Sequence, residues 1–263
     1  MMPKIGFSSP STDSESSVYY NVVGGNSNKT EWIPEKEFSF QNYSAGTFEV
    51  NRHPDENVTE NDIREAWKVY DRSFEAARNN GWFDYEEARK DGYRLESTGY
   101  HWLDLDRKTR TKKAVSPENP HNLIYYDNPN NESQKILAGF MYHKRLGSTE
   151  HGPQFGGPLT VWHFHPMRTA GYSGFIRKVV SMRDDIADTS EYFDIFSPEF
   201  ENLEDYLNKT PRTAEMIHVW FIKHPDGPYA TEFVVDEEYI EEPEKMNYTE
   251  FRQFALENYA NES

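Results

Sequence analysis

The stretch Glu215 to His224, "EMIHVWFIKH", leaves this chain few ways to fold. Read as a strand, Met216, His218, Trp220 and Ile222 fall on one face and Ile217, Val219 and Phe221 on the other, because side chains alternate along a strand. Neither face can be given to water without exposing aromatic and branched aliphatic groups. A run of this kind belongs in a sheet covered on both sides. His218 inside it is expected to be buried, and a buried imidazole needs a partner: a backbone group, a carboxylate or a metal.

Other segments supply the rest of such a sheet. "NLIYYDNPNNESQKILAGFMYHKRL", from Asn122, is two apolar runs around Asn-Pro-Asn-Asn, the pattern of a hairpin with a longer loop. "GPLTVWHFH", from Gly157, reads as a further strand. The helices lie before and after. "NVTENDIREAWKVYDRSFEAARNNG" has Thr59 as a cap with Asp62 three residues on, an apolar stripe of Ile63, Trp67, Tyr70 and Phe74, and Gly81 as its stop. A short second helix ends at Gly92, and "NYTEFRQFALENYA" predicts a last helix capped by Asn247 or Thr249. "GFIRKVVSMRDDI" is ambiguous, and "SPEFENLEDYLNKTP" suggests a short helix opened by Ser197-Pro198. "HPDGP", from His224, reads as a turn.

The expected fold class is α+β: N-terminal helices packed on a mostly antiparallel sheet, open or barrel-like, followed by a C-terminal helix. Residues 1–56, rich in Ser, Asn, Gly and Pro, read as an irregular extension pinned to the core by Trp32, Phe38, Phe40, Tyr43 and Phe48, with its first fifteen or so residues disordered. Residues 57–263 read as one domain with a histidine-rich β core.

Composition narrows the partners. The 263-residue chain carries a formal net charge of -17, which repels nucleic-acid phosphate and anionic membranes and attracts cations. Aromatics at 15% against 36% hydrophobic residues point to a core of Tyr, Phe and Trp. With no cysteine, disulfides, thiolate metal sites and a Cys nucleophile are excluded. No apolar run is long enough for a membrane span, and "MMPKIGFSSPSTDSESS" has no signal-peptide apolar region, so the chain is expected to be cytoplasmic or a mature exported form. Sequons at Asn28, Asn42, Asn57, Asn131, Asn208, Asn247 and Asn261 favour export, with glycans on exposed loops. An Asn- and Ser/Thr-rich surface also makes sequons by accident.

The histidines carry the candidate chemistry. His163 and His165 lie one residue apart in a strand and so share a face, about 6.6 Å apart along it. Neutral imidazoles suit zinc, copper, iron and nickel. His218 is the candidate third ligand and His101, in "TGYHWLDLD", the fourth. His143 is followed by Lys144 and Arg145, which disfavour a cation; His53 and His224 precede prolines in turns and are expected to be solvated; His121 and His151 fall in loops. Met167 and Met216 lie beside the histidines, and thioethers favour copper. The bland alternative is that each strand histidine is simply hydrogen-bonded. There is no G-x-S-x-G elbow, P-loop or dinucleotide fingerprint, and sequence does not pair any of the carboxylates for acid–base work.

Two resemblances bear on these residues. The Gly157 stretch, a Gly, five residues and then His-X-His, resembles the opening of the first cupin motif. The Glu expected next is replaced by "PMRTAGYSG", and no second cupin motif surrounds His218. From Asp91 to Ala230 the chain is similar to a group of little-characterised exported bacterial and archaeal proteins, through "DGY", "YHW", "PHNLIYY", "LAGFMY", "WHFHP" and "IHVWFIKHPDGPYA". That group's recurrent histidines imply convergence of His101, His163, His165 and His218. Its usual Cys after WH-X-H is replaced here by Pro166-Met167. The expectation is an exported or cell-surface acidic protein binding zinc or copper through clustered histidines, a non-enzymatic binding module. The alternatives are a cupin-like metal-dependent enzyme and a metal-free module that meets a cell-surface protein partner. A saturated site would favour the first, an open site in a lined pocket the second.

Overall fold

The computed structural model of the chain describes residues 18–23, 31–39, 46–54, 56–95, 101–104, 113–144, 150–165, 188, 191, 201–202, 204–205, 213–233 and 236–259. It is an α+β fold. The strands are β1 (Tyr19–Val23), β2 (Ile33–Pro34), β3 (Thr47–Asn51), β4 (Tyr93–Leu95), β5 (His101–Asp104), β6 (Asn122–Asn128), β7 (Asn131–His143), β8 (Trp162–Phe164) and β9 (Met216–Trp220). They form one sheet in the order β2-β1-β3-β8-β9-β7-β6-β5-β4, and every described pairing is antiparallel. Among the described residues the sheet is open, with β2 and β4 at its edges.

Helix α1 (Glu60–Asn79) starts where the sequence places it. Thr59 and Asp62 exchange side-chain and backbone hydrogen bonds in a capping box, which satisfies two donors that a helix start would otherwise leave orphaned. Gly81, at φ 73°, ends it in a conformation that side chains with a Cβ resist. Helix α2 (Tyr85–Lys90) follows, capped by Asp84. Helix α3 (Tyr248–Tyr259) is capped by Asn247, whose Oδ1 accepts from the backbone N–H groups of Thr249 and Glu250, while the Glu250 carboxylate accepts from the Asn247 N–H. No described helix is long and apolar enough to cross a membrane.

Residues 1–56 are not simply an irregular extension. They supply β1, β2 and β3, and Tyr20, Val22, Phe48 and Val50 belong to the same buried cluster as the helices. The strand expected over Gly157 to His165 is shorter than its sequence suggests. Gly157 takes φ 52° in a 3-10 turn, and the carboxylate of Asp62 sits where a Cβ would be, so only Trp162–Phe164 is left to pair. The ambiguous 174–186 segment and most of the suggested helix at 197–211 lie outside the described residues.

The sheet has two unlike faces. The first packs under α1 and α3: Phe48 stacks on Phe164, Phe140 and Phe74 meet Phe221, and Tyr70 meets Phe251. Polar tips there are hydrogen-bonded at Tyr142, paired to Ser73 at 2.7 Å, and at Tyr229, which donates to the Ala66 carbonyl at 2.6 Å. The second face holds a smaller apolar cluster, Ile124, Tyr126, Ile136, Ala138, Met141 and Trp220, covered by Ile222, Ala230, Phe233 and Ile240. It also holds the histidines.

Candidate metal centre

Strand parity and register place the second face residue by residue. His163 on β8 lies opposite Glu49 on β3 and opposite Met216 on β9. Glu49 lies opposite Asn21 on β1, and Met216 opposite His143 on β7. One row therefore reads Asn21, Glu49, His163, Met216, His143. His218, two residues along β9 from Met216, lies opposite Met141, which lies opposite Asn122 on β6. A sheet interior thus carries a belt of polar and thioether side chains.

His163 is the middle ring of the group. Its centroid is 4.6 Å from that of His218 and 5.5 Å from that of His165, with planes inclined at 60° and 74°. His163 is 0% exposed and His218 1%, while His165 is half-buried. An imidazole bound at 2.0–2.1 Å has its ring centre about 3.2 Å from the ion, so two rings at a tetrahedral angle sit about 5.2 Å apart. The two separations bracket that value. Among the described residues, no group of three or more His, Asp or Glu side chains is arranged to hold a metal ion.

The fourth expected ligand is not brought to this pair. His101 pairs with Ile124, and β6 and β7 lie between β5 and β9. Three strand spacings along the sheet amount to about 14 Å. The convergence of all four histidines expected from the sequence fails on strand order, which a single sequence does not reveal.

Around the pair, the chemistry is already partly assigned. Glu49 accepts hydrogen bonds from Asn21 Nδ2 at 2.9 Å and Thr231 Oγ1 at 2.8 Å. Burial pushes its carboxyl above the usual range, and those two hydrogen bonds only partly offset it. The His218 ring is packed between Trp220 at 5.1 Å and Phe233 at 5.0 Å. His165 is anchored through its backbone, which exchanges hydrogen bonds with Thr213, each 2.9 Å long.

The remaining histidines follow other rules. His224, expected to be solvated, is buried at 8% exposure against Trp220. Its Nδ1 accepts from the Asp226 N–H and its Nε2 donates to the Glu232 carbonyl, each at 3.0 Å, and burial lowers its pKa. His121 is buried too, with its ring 4.2 Å from His143. His151 faces two carboxylates: buried Glu215 at 2.7 Å on Nδ1 and Glu35 at 3.2 Å on Nε2. Sequence reasoning missed Glu49, Glu215 and Met141 as neighbours of histidines. Only strand parity was available as a signal, and parity gives a face without giving the adjacent strand.

A groove of about 490 Å³ lies elsewhere, between the 222–228 turn, residues 241–246 and α3. Trp220 lines it, but none of His163, His165 and His218 does. Of the sequon asparagines, Asn57, Asn131 and Asn247 are exposed, while Asn28, Asn42, Asn208 and Asn261 lie outside the described residues. Searches of known protein families, curated proteins and solved structures find no match to this chain.

Proposed function

We propose that this chain is an exported or cell-surface acidic protein that binds a transition metal ion, zinc or copper, through His163 and His218 with His165 beside them. It acts as a binding module rather than as a catalyst. The observation that carries this reading is the pair of buried imidazoles with centroids 4.6 Å apart, close to the roughly 5.2 Å of two imidazoles on one tetrahedral ion. The net charge of -17 supports it by raising the local concentration of cations. Export rests on the seven sequons, and exposure of Asn57, Asn131 and Asn247 makes those three able to carry glycans. The binding-module role is favoured over a cupin-like enzyme because, among the described residues, the groove of about 490 Å³ is lined by residues other than His163, His165 and His218.

The test is elemental analysis of protein purified without chelators or a His tag, beside the H163A/H218A double variant. One zinc or copper per chain, lost in the variant, is the expected outcome. Equal metal content in both proteins sinks the reading. For export, intact mass of native protein should exceed the chain mass by whole glycan units, and an unmodified mass removes that support.

A further inference from the structure

The rows that carry His163 and His218 also carry two thioethers. Met216 lies directly opposite His163, and Met141 directly opposite His218. Met216 and His218 share β9 two residues apart, hence one face. His163, Met216, His218 and Met141 therefore make an unbroken zigzag across three adjacent strands. Opposed residues in an antiparallel pair have Cβ atoms about 4.5–5.5 Å apart, close enough for both members to reach one ion. Met141 is 6% exposed and packs in the second-face cluster, with Met216 against it.

We infer that these four residues form a site for monovalent copper. The inference rests on the metal-binding reading of the His163–His218 pair and narrows it to one ion. Two arguments select that ion. The first is donor softness: thioether sulfur favours Cu(I), whereas zinc sites are built from thiolate, imidazole and carboxylate. The second is charge. The four donors are neutral, the chain has no thiolate, and the carboxylate in the row, Glu49, is engaged by Asn21 Nδ2 and Thr231 Oγ1. Glu215, next to Met216, is turned to His151 and the Gly152 N–H. The cost of burying an ion grows with the square of its charge, so a divalent ion without anionic ligands pays about four times what a monovalent one does. Trp220 and Phe233 pack on His218 and cover that ring with apolar surface.

The experiment titrates chelator-free protein with Cu(I) under anaerobic ascorbate, in competition with a chromophoric Cu(I) chelator, and in parallel with Zn(II). The M141L/M216L variant conserves side-chain volume and so preserves packing. One Cu(I) per chain is expected, with affinity falling about tenfold or more in the variant while any zinc binding is unchanged. X-ray absorption of the copper-loaded wild type should show sulfur neighbours, a readout independent of whether the variant folds. Metal bound equally by wild type and variant, with only nitrogen or oxygen around copper, overturns the Cu(I) site and leaves the histidine reading standing. No uptake of either ion by wild type overturns both.

Discussion

The two faces of this sheet are built from the same strands and are governed by different chemistry. On the first face, Phe48, Phe140, Phe164 and Phe221 meet edge-on or stacked under α1 and α3, and every tyrosine hydroxyl described above has a partner. On the second, across the adjacent strands β1, β3, β8, β9, β7 and β6, the positions hold Asn21, Glu49, His163, His218, Met141 and Asn122. A face made for stability has no reason to hold buried imidazoles and amides where Leu or Val would fit. The contrast sets a face closed by aromatic packing against a face that places imidazoles and amides inside a sheet.

The largest expected effect tests the first face. Phe140→Ala should cost about 3–5 kcal/mol, because Phe140 is 0% exposed and touches Trp82, Tyr142 and Phe221. Denaturant melts read this directly, and a loss under about 1 kcal/mol would mean that the aromatic face is loosely packed. Gly139→Ala comes next. A Cβ there would lie 2.3 Å from the Val219 carbonyl oxygen, and backbone cannot step aside as a side chain can, so about 3 kcal/mol is expected. A neutral result would show that β7 and β9 approach less closely than described.

Asn122→Leu should have the opposite sign. Asn122 is 0% exposed and, among the described residues, neither polar atom of its amide has a hydrogen-bond partner, so an apolar group of similar size should raise stability by about 1 kcal/mol. If the substitution destabilises instead, the second face is as optimised for folding as the first, and the comparison breaks. The smallest effect concerns pH. The folded pKa of His224 is lowered, first by burial, so the neutral ring contributes stability above the unfolded pKa near 6.5. That contribution is lost as pH falls through the lower folded value. His224→Gln should flatten the fall in melting temperature on acidification from neutrality, and parallel curves for the two proteins would assign the slope to other groups.

Much of the first face was legible because its signals are local. Thr59, Asp62 and the Ile63–Phe74 stripe define α1 within a few turns, and Asn-Pro-Asn-Asn marks the β6–β7 hairpin. Strands β1 and β3 were not legible. Their sequences are half polar, and what makes them strands is pairing with each other and with β8, far downstream. The second face was legible only in part for the same reason. His163 and His165 share a face by parity, and His218 had to be buried by its neighbours. That His218 stands beside His163 while His101 stands across two intervening strands depends on strand order. His224 was misread because a His-Pro turn suggests water, whereas the turn folds back over Trp220.

The position of α3 bears on how the chain is made. Phe251 and Ala255 plug the aromatic face, and the start of α1 is tied to the end of α3 by the Val58 N–H donating to the Tyr259 carbonyl at 3.2 Å. During translation, β1, β3, α1 and the β6–β7 hairpin emerge long before that plug exists. Until α3 leaves the ribosome, Tyr70, Phe221 and Tyr229 have no cover on that side. Closure of that aromatic surface therefore waits for α3 to dock, a contact of long sequence separation with Tyr70 of the kind that slows folding.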